Sequence, residues 1–440
     1  MGHPRGPSDD DPPIVYHDPD RTAAEFERRA PGDGENWLRA VGLWDKVKKP
    51  LLEAILSPFP PMRPLLTLLH KLGTSDALRV AKLLVQPANT MAAGLFDGDA
   101  PRVMLMGNAL HADIPLDAPG SAMMGFLMTM LAQDHGWPLP IGGSGQLTAA
   151  LVGRARSAGR GSSATRTSPA SRCEPGARQV SAPSDRWRAP SGRRGRYGPA
   201  AVLPHAAPDV VPPGLLRDLR HFEWDPPVVK VNYALDAPIP WRATNLRDVG
   251  TVHLGADGPG LVRWMADVNT RTVPEHPFML LGQTTTADPT RSPTGTESIW
   301  AYTHLPREVY DDASAERLAE SVDRVIEEHA PGFGSHIVGR FLQRPSDLEA
   351  HNANLFHGAI NGGTSQLHQM LIFRPAPGMG RAETPIKRLY LGGASATPGG
   401  SVHGACGRNA ANAALAADGV TGWPRRKLRR AVFSLMTGNR

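Results

Sequence analysis

Cysteine is almost missing from this chain: Cys173 and Cys406 are the two among 440 residues. A disulfide framework is thereby excluded, and neither residue has a neighbour at metal-ligand spacing. A reducing, cytoplasmic setting fits. No apolar h-region appears in MGHPRGPSDDDPP, so no signal peptide is expected. Long hydrophobic runs are also missing. The most apolar stretch, AMMGFLMTMLA at 122–132, is about half of the ~20 residues a membrane span needs, and it reads as a buried core helix. A Ser-His-Asp or Cys-His signature is absent. His135, His351, His357 and His368 share no metal spacing, so no metal site is expected.

Positive charge is in excess, at +6 net, and it is concentrated. The stretch 153–201 contains eleven arginines and one valine, and no Leu, Ile, Phe or Met. Such a composition offers no core face to a strand or helix. Three readings of it stand: a disordered basic linker, a nucleic-acid-binding arm, or a segment translated out of frame. The last is favoured, because Arg, Ala, Gly, Pro and Ser are what a GC-rich gene yields in a wrong frame. Scattered arginines without a surrounding fold argue against a nucleic-acid partner.

The rest of the chain has clearer periodicity. Residues 1–13 are polar, proline-rich and read as disordered. Asp20 is a plausible N-cap for a helix that Pro31-Gly32 stops, and Trp37, Val41, Trp44, Val47 and Leu51 then recur at helical spacing. Further helices are expected at 65–86 and 120–134. Later, 228–235 alternates like a half-buried strand, with further strands at 251–254, 278–283 and 298–303. A helix capped by Asp311, Asp312 or Ser314 should run to about His329. The expectation is an antiparallel sheet packed on one side.

The most informative segment is 389–415, LYLGGASATPGGSVHGACGRNAANAAL. A short apolar strand leads to a glycine-rich turn and then to a helix of small residues over about 404–417. Glycine permits positive φ and close backbone approach to a flat ligand. The helix start offers free amide N–H groups and the positive end of the dipole, which suit an edge that becomes negative. Ala405, Ala410, Ala411 and Ala414 should let the helix pack tightly. Read from the residues alone, the same string also fits a tight strand-turn-helix crossover with no ligand.

This string resembles the C-terminal flavin-binding motif of the phytoene desaturase-like, or carotenoid/retinoid oxidoreductase, family, with its Pro-Gly-Gly turn and Gly-Ala-x-Gly helix start. GWPLPIGGSGQLTAAL at 136–151 resembles that family's Pro-x-Gly-Gly-x-x-x-Leu element. FEWDPPVVKVNYALDAPIPW at 222–241, Asp288-Pro289 with 300–306, and 358–369 with Arg374-Pro375 also resemble family segments. The resemblance covers about 14–152 and 205–420. It implies an α/β (α+β) fold: an incomplete FAD/NAD(P)-binding domain plus an antiparallel-sheet substrate domain with helical insertions. It implies FAD as cofactor, held by Gly142, Gly143, Gly392, Gly393, Ala394, Pro398, Gly399, Gly400, Ser401, Val402 and Gly404. The activity it implies is dehydrogenation of an apolar small molecule. His403, in the turn beside the expected flavin edge, is a candidate acid/base or simply a hydrogen-bonding residue.

One family element is not found. No strand, G-x-G-x-x-G turn and helix for the ADP half of FAD can be read here; Gly32-Asp33-Gly34 and Gly143-Ser144-Gly145 lack the required context. Residue 1 is therefore expected to enter the family pattern past that unit, and 153–201 falls where a second cofactor strand belongs. The expected organisation is 14–135, mostly helical substrate-domain part; 136–152, cofactor-proximal loop and helix; 202–375, substrate domain with the sheet; 376–420, FAD-binding segment; and 421–440, basic tail. Within the tail, 423–436 (WPRRKLRRAVFSLM) is compatible either with peripheral membrane contact or with a solvated terminal helix. Two functions stand: an FAD-dependent oxidoreductase, or a non-catalytic remnant that keeps the fold without a stable cofactor. Substrate and oligomeric state are not legible.

Overall fold

A proline and an aspartate set the first element. In the computed structural model, which describes residues 11–159, 179–180, 211–386 and 389–418, helix α1 (Pro19–Arg29) has Pro at its first position and Asp18 as N-cap, accepting from the Asp20 amide. The cap thus lies two residues before the expected Asp20. Helix α2 (Asp33–Ile55) follows through Gly32 in the left-handed region. Its Trp37, Trp44, Val47 and Leu51 are buried, while Val41 is half-buried. Trp37 donates to Gln133 and Trp44 to Asp134, so each indole satisfies its N–H while burying its ring.

Helices α3 (Met62–Val85), α4 (Ala88–Leu95), α5 (Asp99–Ala109) and α6 (Ser121–His135) complete a helical layer. The apolar run lies in α6 and is core, as its length required: Ala122, Phe126, Leu127 and Met130 are buried. Helix α7 (Gly145–Ser157) extends into the arginine-rich stretch and buries none of its residues. Beyond it, β1 (Gln179–Val180) pairs in parallel with a C-terminal strand. The expectation that 153–201 is disordered fails at 153–157, which lie in α7, and at those two residues; helix and strand hydrogen bonds need no apolar side chain. Most of 153–201, all of 423–436, and the termini at 1–10 and 419–440 lie outside the described residues.

Helix α8 (Pro213–Arg220) leads to a five-stranded antiparallel sheet of β2 (Val228–Leu235), β3 (Thr251–Leu254), β4 (Met279–Gln283), β5 (Glu297–His304) and β6 (Ile337–Gln343), in the order β3-β4-β5-β2-β6. Helix α9 (Gly258–Asn269) and α10 (Thr284–Ala287) lie in its connections. The sheet is covered on both faces, not one. Val229, Val231, Tyr233, Leu281 and Ile299 pack on α11 (Asp312–His329) through Leu318, Val322 and Ile326. On the opposite face, Leu280, Trp300 and Tyr302 meet α9 and the helical layer. Two-sided burial explains why β4 is buried at every residue.

The described residues end with α12 (Pro345–His351), loops, β7 (Leu389–Tyr390) and α13 (Ala405–Asp418). Helix α8 packs its Leu215 and Leu219 beneath this segment, against Met379, Leu389 and Leu391.

Candidate functional site

The glycine-rich turn is built around one arginine. Arg374 is fully buried, at 0% exposure. Its guanidinium donates to five backbone carbonyls: Asn361, Gly362, Gly363 and Thr364 on one loop, and Ala394 at the start of the turn. A planar fork of five donors suits this role, which a lysine could not fill. Burial draws its pKa down to about 10, against the pull of Asp225, so it remains charged. The turn then lies against the clamp. A Cβ on Gly399 would come 3.4 Å from the guanidinium, and one on Gly400 would come 2.4 Å from the Asn361 carbonyl oxygen. Packing within the protein thus requires glycine at 400, whereas at 399 the contact is ordinary and the positive φ of 125° favours glycine. Cys406 is buried beneath them, its thiol on the Gly399 carbonyl, and burial pushes that thiol up.

The following residues face outward. Ser401 and Val402 are exposed, Val402 at 87%, and a Cβ on Gly404 or Gly407 would meet open space. The amides of Ser401, Val402, His403 and Gly404 donate no hydrogen bond among the described residues. They precede α13, whose dipole favours negative charge at that end. His403 is half-buried, and its Nδ1 accepts from the Ala405 amide at 3.0 Å. The ring therefore caps the helix through Nδ1 and keeps its proton on Nε2. Burial, and then Arg408, hold it below the ordinary histidine pKa. The helix packs as expected through Ala405 and Ala410. Ala411, in contrast, is exposed and contributes nothing to packing.

Behind the clamp lies a buried polar cluster that joins three of the family-like segments, 222–241, 300–306 and 358–369, to Asp113, which no motif announced. His304, at the end of β5, sits 2.9 Å from Asp113, both nearly inaccessible. Asp113 also accepts from the Asn361 side chain at 2.6 Å. Asp225 accepts from the Asn361 and Gly363 amides at 2.7 and 2.8 Å. Burial, then the charge of Asp113, raises the Asp225 carboxyl. Burial alone would lower His304, but Asp113 outweighs it and holds the imidazole above its usual range. Asp113, within this cluster, has a positive φ of 54°, a conformation in which non-glycine residues are uncommon. Beyond those segments, the sequence signal was polar residues set in apolar surroundings, as in Thr303-His304-Leu305.

Gly142 and Gly143 lie elsewhere. Gly142 donates to Asp288 at 2.7 Å, and Gly143 lies against the Arg291 guanidinium. Thr290 and then the Gly142 amide hold Asp288 below the usual carboxylate range. Among the described residues no hydrogen bond joins these two glycines to the 392–404 turn; their loop docks on the connection between β4 and β5. The same loop stacks Trp137 on His111, which faces His253 at 2.9 Å between Nε2 atoms. Gly32-Asp33-Gly34 is a helix-hairpin element, with the Asp33 carboxylate accepting from the Asp97 and Gly98 amides. Among the described residues no cluster of three or more acidic, His or Cys side chains could hold a metal, and no helix is long and apolar enough to cross a membrane.

No family model matches the chain. It is similar to two curated proteins, both called pyridine nucleotide-disulfide oxidoreductase domain-containing protein 2. The rat protein (Rattus norvegicus) is 30% identical over 221 residues, and the mouse protein (Mus musculus) 29% over 221 residues. Each match covers 46% of this chain and 37% of the relative, so the chain spans well under half of the relatives' length. A crystal structure of an oxidoreductase from Methanosarcina mazei aligns with a TM-score of 0.44 at 14% identity, over 78% of this chain and 72% of that one.

Proposed function

We propose that this chain is an FAD-dependent oxidoreductase polypeptide of the phytoene desaturase-like type, acting on an apolar small molecule. The observation that carries it is the run of amides at 401–404 without an acceptor among the described residues, on largely exposed residues at the N-terminus of α13 next to the Arg374 clamp. The similarity to proteins named as oxidoreductases supports the reading. The residues present fit the flavin end of FAD: Val402, His403 and Gly404 would present donors to its polar edge, and Gly404 leaves room for close approach. When bound, the flavin supplies the redox chemistry by accepting two electrons from the substrate. The chain's residues do the rest. Arg374 holds the 361–364 loop and the turn in register. His403 sets the start of α13 by accepting from the Ala405 amide, which leaves its Nε2 as the protonated nitrogen. The Gly142–Asp288 contact positions the 136–145 loop on the connection between β4 and β5.

The ADP end has no cradle among the described residues. The competing reading, a fold kept without a stable cofactor, draws on that. Titrating the purified full chain with FAD separates the two. Saturable flavin fluorescence quenching near one equivalent is expected; a protein that stays colourless in excess FAD overturns the enzyme reading.

A further inference from the structure

Helix α3 is amphipathic twice over and spends only one of its apolar faces on the core. Its inner stripe, Leu68, Leu72, Leu83 and Leu84, packs partly buried against the helical layer. No residue of its 24 is fully buried. A second stripe, Met62, Leu65, Leu66 and Leu69, follows the spacing i, i+3, i+4, i+7 and is wholly exposed, Leu66 at 60%. After the kink at Gly73 the pattern resumes with Leu78 at 67% and Val85 at 57%. Four cations flank these stripes: Arg63, Lys71, Arg79 and Lys82, all exposed. The single carboxylate of the helix, Asp76, is paired with Arg79 at 2.8 Å.

We infer that α3 is a peripheral membrane-binding face, lying in the headgroup layer of an anionic bilayer with its outer leucines inserted. Charge complementarity selects the occupant. A second copy of this chain would bring the same four cations against themselves, whereas an anionic lipid surface neutralises them while taking up the leucines. The loop at 371–380 touches the approach to α3 and carries further exposed apolar side chains. The Phe59 amide donates to the Gly380 carbonyl at 2.9 Å, and Gly380 lies against Ile372. Leu371 and Phe373, on either side, are exposed at 47% and 44%. The Leu371 carbonyl accepts from Thr397, which immediately precedes the Pro398-Gly399-Gly400 turn. The inference stands on α3 itself and does not need the flavin reading.

The test is cosedimentation of the full chain with phosphatidylcholine vesicles, with and without phosphatidylglycerol. Binding is expected to the anionic vesicles and to weaken with salt. Replacing Leu66, Leu69 and Leu78 together by Ser should lower the partition coefficient by about tenfold or more. K71Q, R79Q and K82Q should each lower it about fivefold at low salt. These side chains are exposed, so thermal unfolding should be unchanged and serves as the folding control. Three results would overturn the inference: no binding to anionic vesicles; leucine variants that bind like the parent while R425Q/R426Q/R429Q/R430Q abolishes binding, which moves contact to the tail; or a parent dimer that the leucine variants convert to monomer.

Discussion

The sheet and the C-terminal turn treat apolar side chains in opposite ways. On β2 and β5, Val229, Val231 and Ala301 are fully buried, and α11 seals them with Leu318 and Val322 at 0% exposure. On the turn, Val402 is 87% exposed at the front of a helix whose neighbouring amides have no described acceptor. The first region is complete within itself. The second is held rigid from behind by Arg374 and left open in front. A surface that is both pre-organised and unsatisfied is what a ligand site requires, and burial alone does not mark it.

The strongest way to break this comparison is to release the clamp. Arg374→Met removes one charge and leaves five carbonyls, three of them buried, without this donor, and it abandons Asp225 beside them. A loss of about 3–5 kcal/mol is expected, read by urea unfolding. Limited proteolysis should show where the loss falls: cleavage within 361–404 first, with the β2–β6 sheet still protected. Equal susceptibility of sheet and turn would mean that the two regions are one cooperative unit and that the contrast is only superficial.

How much of this was legible depended on whether the information was local. Strand β2 was readable to its ends because alternation is a property of eight adjacent residues, and the Asp311 cap and stripe of α11 were readable for the same reason. Strand β6 was not. It is an edge strand, largely exposed, and Val338, Gly339, Arg340 and Phe341 show no alternation. Helices α4 and α5 are short and broken by Pro87, Gly98 and Pro101, so no long apolar period marks them. The buried cluster was out of reach on different grounds. Asp113 and Asn361 are 248 residues apart, and nothing in the spacing of single acids and amides announces a partner at that separation. The turn was legible as a motif. That its Gly399 and Gly400 serve the Arg374 clamp, leaving 401–404 to face outward, required the fold.

A smaller effect sharpens the comparison at the junction between the helical layer and the sheet. Burial draws His253 down to about 4, and burial with His253 as neighbour holds His111 well below its ordinary value. Both are neutral when folded. Unfolded histidines titrate near ~6.5, so below that pH the unfolded chain takes up protons that the folded chain refuses. Stability is therefore full above about pH 6.5 and falls as the pH drops towards 4, by up to about 1.4 kcal/mol per pH unit for each histidine. His304 opposes this. Raised by Asp113, its contribution is present in acid and lost as the pH climbs through its folded value. His253→Gln should flatten the acid limb of stability against pH. An unchanged limb would assign the acid loss to the carboxylates.

The smallest expected effect on stability tests the comparison most directly. Val402→Asp places a carboxylate on a side chain that touches almost nothing, so unfolding should shift by no more than about 0.5 kcal/mol. The same change at Val231, with its 0% exposure, would bury an unpaired charge and is expected to unfold the sheet. If 401–404 faces the polar edge of a flavin, the new carboxylate competes for the same amides and repels a reduced, negative ring. FAD affinity should then fall about tenfold or more, as for loss of a charge-assisted hydrogen bond, while the melting curve stays in place. Loss of affinity without loss of stability would mean that Val402 is exposed because a ligand covers it. If both are unchanged, the open face of the turn is surface, and the amides at 401–404 are satisfied by water.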